Sequence, residues 1–94
     1  MAFYVYILAS GPNGTLYTGM TDDLARRIYE HREKVRPGFT STYGIAGLVW
    51  YEVHDTREAA FLRERQIKKW RRRWKLELIE AINPTWRDLN DSLL

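Results

Sequence analysis

The sequence contains no cysteine. That removes disulfides and cysteine-ligated zinc, and makes a reducing cytoplasm the expected compartment. Apolar runs such as Leu48 to Tyr51 are far too short to span a bilayer, so no membrane association is expected. The opening Met-Ala-Phe-Tyr-Val-Tyr lacks the basic region and long apolar core of a signal peptide. Linkers, low-complexity segments and internal repeats are also missing. The 94 residues suffice for one domain, expected over 1–83, with a loosely packed tail over 84–94. So small a domain has little surface to bury, and the 4 tryptophans supply much of what it needs.

What the chain does have is localised positive charge. Its 15 basic residues against 12 acidic ones give a net charge of only +3. Yet Arg63, Arg65, Lys68, Lys69, Arg71, Arg72, Arg73 and Lys75 crowd one segment, opposed there by Glu64 alone. Arg26, Arg27, Arg32, Lys34 and Arg36 form a second cluster. Arginine predominates over lysine, which suits two-pronged contacts to phosphate. A solvated helix face is the competing interpretation of such a run.

Residues 3–8 are aromatic and β-branched and predict a strand. Asn13-Gly14 is a hairpin signal, and Thr15 to Met20 predicts the partner strand. Thr21 is the expected cap of a helix running to about Lys34, with Asp22 and Asp23 at the positive end of its dipole. Pro37-Gly38 opens a loop that includes Phe39 and Tyr43. Leu48 to His54 predicts a third strand. Asp55 and Glu58 resemble a capping box, so a long helix is expected from about Thr56 to Arg73. A last helix is expected over Lys75 to Ile82, ended by Asn83-Pro84. The fold class is α+β: a small three-stranded antiparallel sheet flanked by helices, in the order β-β-α-β-α-α.

Three groups of residues could carry chemistry. Arg27 and His31 lie one turn apart at the edge of the stripe made by Leu24 and Ile28. Taken alone, they also fit an ordinary exposed pair. On the long helix Ala60, Ile67 and Trp74 mark the expected core stripe, with Trp70 beside it and Glu64 near its edge. One carboxylate there can hold a hard cation completed by water and substrate phosphate, or simply balance Arg63, Arg65 or Lys68. Tyr4 and Tyr6 share a strand face, and hairpin pairing can bring Tyr6 close to Tyr17. Such aromatic pairs are often mere packing, although a phenol can accept a proton when a nearby cation favours its ionised form. All four tryptophans are expected in the core or covering the sheet.

Tyr6, Tyr17-Thr18-Gly19, Arg27, His31 and Glu64 follow one another in an order and spacing that resembles the GIY-YIG nuclease family. The segment Thr21 to Arg27 is similar to that family's Asn-Leu-x-x-Arg stretch, with Asp23 in place of Asn. Gln66-Ile67-Lys68-Lys69-Trp70 and Asn83-Pro84-x-Trp86-x-Asp88-Leu89 resemble the small stand-alone bacterial UPF0213-type subgroup. Two departures stand out: Tyr4 replaces the first glycine, and Thr18 replaces isoleucine.

The resemblance implies an endonuclease that hydrolyses phosphodiester bonds in DNA with little sequence specificity, in repair or recombination. It implies Glu64 as ligand of one Mg²⁺ or Mn²⁺ ion and Arg27 as neutraliser of phosphate charge. Tyr17 or Tyr6 would be the proton acceptor, supported by His31, with Tyr17 preferred because Gly19 leaves space for substrate. The product would carry a 5′-phosphate. Arg26, Arg63, Lys68, Arg71 and Arg72 are the expected nucleic-acid contacts. The alternatives are a non-catalytic nucleic-acid-binding module or an accessory subunit whose protein partner supplies specificity.

Overall fold

The computed structural model describes residues 2–32 and 47–90. The proposed loop at 37–43, the last residues of the first expected helix and the end of the tail at 91–94 lie outside the described residues. There are three strands, β1 (Phe3–Ala9), β2 (Leu16–Thr21) and β3 (Gly47–His54), and three helices, α1 (Leu24–Arg32), α2 (Arg57–Lys68) and α3 (Arg72–Ile82), among the described residues. The order is β-β-α-β-α-α, as the sequence predicts. Strand β1 lies centrally in the order β2-β1-β3, antiparallel to both neighbours.

The central position of β1 explains its unbroken apolar composition. Val5, Ile7 and Ala9 pack on one face against Ala60 and Ile67 of α2 and Ile79 of α3. Tyr6 and Leu8 pack on the other face against Leu24 and Ile28 of α1. With helices on both faces, neither set of alternating side chains meets solvent. The pairing of β1 with β3 shifts between Ile7, opposite Trp50, and Leu8, opposite Leu48. This bulge lets the consecutive residues Val49 and Trp50 both join the α2/α3 side of the core.

The hairpin turn forms where Asn13-Gly14 predicts it, with Asn13 at a left-handed φ of 56°. The helix starts differ from expectation by one or two residues. Asp23 caps α1: its Oδ1 accepts from Arg26 N at 3.2 Å, while Thr21 Oγ1 accepts from Asp23 N at 3.0 Å. Thr56 caps α2 by accepting from Ala59 N at 3.1 Å, in place of the expected Asp55–Glu58 box.

Two further expectations are corrected. The long helix does not reach Arg73; it closes at Lys69, whose N–H turns back to the carbonyls of Gln66 and Ile67. The chain restarts as α3 at Arg72. Trp74 therefore leaves the core stripe and is 50% exposed, its ring edge-on to Trp70 at 6.2 Å.

Residues 84–90 are tied down rather than loose. Asn83 Nδ2 donates to the carbonyls of Val49 (3.0 Å) and Arg87 (2.9 Å), and Asn83 Oδ1 accepts from Arg87 N (3.1 Å). Trp86, at a left-handed φ of 60°, is buried and donates its indole N–H to Glu80 Oε2 at 2.9 Å. Asp88 accepts from Leu48 N at 3.2 Å and pairs with Arg32, joining this segment to β3 and α1. No helix among the described residues is long and apolar enough to cross a membrane.

Candidate active site

Sheet alternation points Tyr6 of β1 and Tyr17 of β2 to the α1 side, where Arg27 and His31 descend from successive turns of that helix. Three rings meet there. Tyr17 and His31 lie 5.2 Å apart between centroids, Tyr6 and His31 6.0 Å, and Tyr6 and Tyr17 6.3 Å. The Tyr6 Oη is 3.2 Å from His31 Nε2, a hydrogen bond whose direction follows the imidazole tautomer.

Tyr6 is wholly buried, whereas Tyr17 and His31 are half-buried. Burial pushes the Tyr6 phenol well above its ordinary value, and the neighbouring Tyr17 adds to this. The Arg27 guanidinium and its hydrogen bond pull the other way, without reversing the shift. Glu64 of α2 is the smallest of these influences, also upward. The structure thus brings four of the five expected residues, Tyr6, Tyr17, Arg27 and His31, into contact in one cluster, with Glu64 a weaker influence from α2.

Gly19 belongs to it for a different reason than substrate access. It pairs directly with Tyr6 across the sheet, and the Tyr6 ring occupies the place a side chain at 19 would take. The expected space for substrate is filled by the protein's own phenol.

Glu30 is a participant the sequence reading did not single out. Its carboxylate sits 3.3 Å from Arg27 Nε and 3.7 Å from Arg26 Nε. Its spacing of three and four residues from these arginines on α1 is the signal that could have found it. Glu30 steadies Arg27, whose side chain remains 31% exposed and able to meet a ligand.

The Glu64 side chain is 14% exposed and paired with Lys68 Nζ at 3.2 Å, a pair one helical turn long. The two border a cavity of about 210 Å³ with Arg65 and Lys69. Among the described residues no three acidic or histidine side chains cluster as a ready-made metal cage. The donor set is therefore a single sheltered carboxylate. That fits Mg²⁺ or Mn²⁺ held jointly with water and substrate phosphate, and does not fit a closed structural metal site. Lys68 is half exposed, and such a surface pair is weak enough to exchange for a stronger cation.

The other expected nucleic-acid contacts differ in how committed they are. Arg26 and Arg71 are exposed. Arg63 donates to Glu52 at 3.0 Å and to Gln66 at 2.9 Å and lies over the Trp70 ring. Arg72 donates to backbone carbonyls of the hairpin turn.

Comparison with known proteins places this arrangement. Residues 2–77 match the model of the GIY-YIG catalytic domain. A UPF0213 protein of Haloquadratum walsbyi is 40% identical over 77 residues, covering 82% of this chain and 85% of that protein. One from Staphylococcus saprophyticus is 37% identical over 76 residues, covering 81% and 92%. The solution NMR structure of a UPF0213 protein from Bacillus halodurans aligns over 100% of this chain and 97% of that one, with a TM-score of 0.57 and 29% identity. The chain belongs to the GIY-YIG family, a family of nucleases, and is of the UPF0213 type.

Proposed function

We propose that the protein is a divalent-metal-dependent endonuclease that hydrolyses phosphodiester bonds in DNA with little sequence specificity, acting in the cytoplasm in repair or recombination. The observation that carries this reading is the assembly of Tyr6, Tyr17 and His31 with the Arg27 guanidinium on the α1 side of the sheet, in a chain that also shelters the Glu64 carboxylate on α2. Packing alone has no need of a partly exposed guanidinium at an aromatic cluster.

Each side chain has a part in this reading. Arg27 neutralises charge that grows on the phosphate as water attacks phosphorus and the bond to the 3′ oxygen breaks, leaving a 5′-phosphate. Tyr17 accepts the water's proton, with its own passing to His31. Tyr6 is the poorer acceptor: it is out of reach of solvent, and burial holds its proton in place. Its part is to position His31 through the 3.2 Å hydrogen bond. The preference for Tyr17 thus rests on exposure, since Gly19 leaves no room above itself. Glu64 is the residue that would hold Mg²⁺ or Mn²⁺. A divalent ion bound there would supply Lewis-acid stabilisation to the phosphate oxygens.

The test is cleavage of labelled single-stranded, duplex and branched DNA with Mg²⁺ or Mn²⁺, by wild type, Glu64→Ala and Tyr17→Phe. Cutting that is lost in Glu64→Ala, while binding to DNA persists, supports the reading. Binding without cutting by all three proteins overturns it in favour of a binding module or an accessory subunit, and equal cutting by all three overturns the assignment of Glu64 and Tyr17 to the catalysis.

A further inference from the structure

A second cationic feature lies at the other side of the edge strand β2. A groove of about 580 Å³ runs between Asn13, Gly14, Thr15 and Leu16 on one wall and Arg72 and Lys75 on the other. The walls are tied together, because Arg72 Nη2 donates to the carbonyl of Asn13 at 2.7 Å and to that of Gly14 at 2.6 Å. Lys75 is half-buried. Burial, then Arg72, then Lys68 push its ammonium below the usual lysine value. Among the described residues no carboxylate lines the groove. Cations crowded without a carboxylate make a place that an incoming anion relieves.

Two links join this groove to the candidate active site. Leu16, in its wall, immediately precedes Tyr17, so the two lie one strand residue apart on opposite faces of β2. Lys68, whose charge is felt at Lys75, also pairs with Glu64 at 3.2 Å. Lys75 and Arg72 face each other across the groove, and Arg72 reaches the hairpin turn. An open groove of this kind suits a phosphate carried on a chain better than a small enclosed anion.

We propose that this groove binds a backbone phosphate of the nucleic-acid substrate flanking the scissile one, with Lys75 as the contacting side chain and Arg72 holding the wall. The inference rests on the nuclease reading and adds a subsite to it. Lys75 is the residue to change, since altering Arg72 would release the turn.

The experiment measures binding of a fluorescein-labelled DNA oligonucleotide to the full chain in EDTA, by anisotropy over a salt series, for wild type, Lys75→Gln and Lys75→Arg. Lys75→Gln is expected to weaken binding several-fold. It should also make the slope of log affinity against log salt shallower by about 0.7–0.9, the contribution of one phosphate. Lys75→Arg should restore both. An oligonucleotide whose phosphates are all replaced by neutral methylphosphonates should bind wild type far more weakly and show no difference between wild type and Lys75→Gln. Unchanged affinity and slope in Lys75→Gln overturn the groove assignment, and the nuclease reading stands if cutting still needs Glu64. A wild type that never cuts, yet shows the Lys75-dependent slope, keeps the groove and sinks the nuclease reading.

Discussion

The Tyr6 phenol lies across Gly19: a Cβ at position 19 would fall 2.5 Å from the phenolic oxygen and 2.7 Å from Cζ of the ring. Since β1 is buried on both faces, Tyr6 cannot swing away without displacing other core residues. Gly19→Ala is therefore expected to cost about 1–3 kcal/mol, the usual range for overpacking. Urea denaturation measures it, and most of the cost should vanish in a Tyr6→Leu background. A cost that is the same in both backgrounds would separate the glycine from the phenol.

Tyr6 also sets a pH dependence. A free phenol ionises near pH 10, and burial raises the folded value above that. Below about pH 10 both states keep the proton and the stability is fully present. Above it, the unfolded chain ionises while folded Tyr6 does not, so stability falls as pH rises. Urea midpoints measured between pH 9 and pH 11 should drop more steeply for wild type than for Tyr6→Phe. Parallel curves would remove Tyr6 from the account.

The start of α2 separates two neighbouring residues. Thr56 Oγ1 accepts from Ala59 N at 3.1 Å. Thr56→Ala should cost about 1 kcal/mol, and Asp55→Ala should stay within about 0.5 kcal/mol. Chemical denaturation of the two variants decides between the threonine cap and the capping box that the sequence suggests.

Asn83 is buried with its amide nitrogen and oxygen engaged by Val49 and Arg87. Asn83→Ala leaves the Val49 carbonyl and two backbone groups of Arg87 without these partners. At about 1–3 kcal/mol for a buried group left unsatisfied, the change should be among the more damaging single substitutions in the chain. Limited trypsin digestion should show faster cutting after Arg87. Unaltered digestion would mean that residues 84–90 are held by Trp86 and Asp88 alone.

Local patterns carried much of this architecture. Alternation along β1 assigns Tyr6 and Val5 to opposite faces, and the spacing of Leu24, Arg27, Ile28 and His31 sets a core stripe beside a polar edge. Those two periodicities are enough to bring Tyr6 and His31 together. The misread features depend on contacts that periodicity does not encode. The closing of α2 at Lys69 turned Trp74 outward, although the apolar spacing of Ala60, Ile67 and Trp74 continues across the break. Asp88 bonds Leu48 N from 40 residues away. The filling of the space over Gly19 follows from how one ring lies against the neighbouring strand, which the glycine itself does not announce.

The central claim is that Glu64 makes this aromatic and basic cluster a metal-dependent nuclease. Cutting and DNA affinity, measured side by side for wild type and Glu64→Gln in Mg²⁺ or Mn²⁺, test it most directly. The account predicts that wild type cuts, that EDTA stops it, and that Glu64→Gln binds DNA at least as well while cutting at least about 100-fold more slowly, the usual cost of losing one electrostatic stabiliser. Equal cutting by the two proteins, or binding by both with no cutting by wild type, would contradict it.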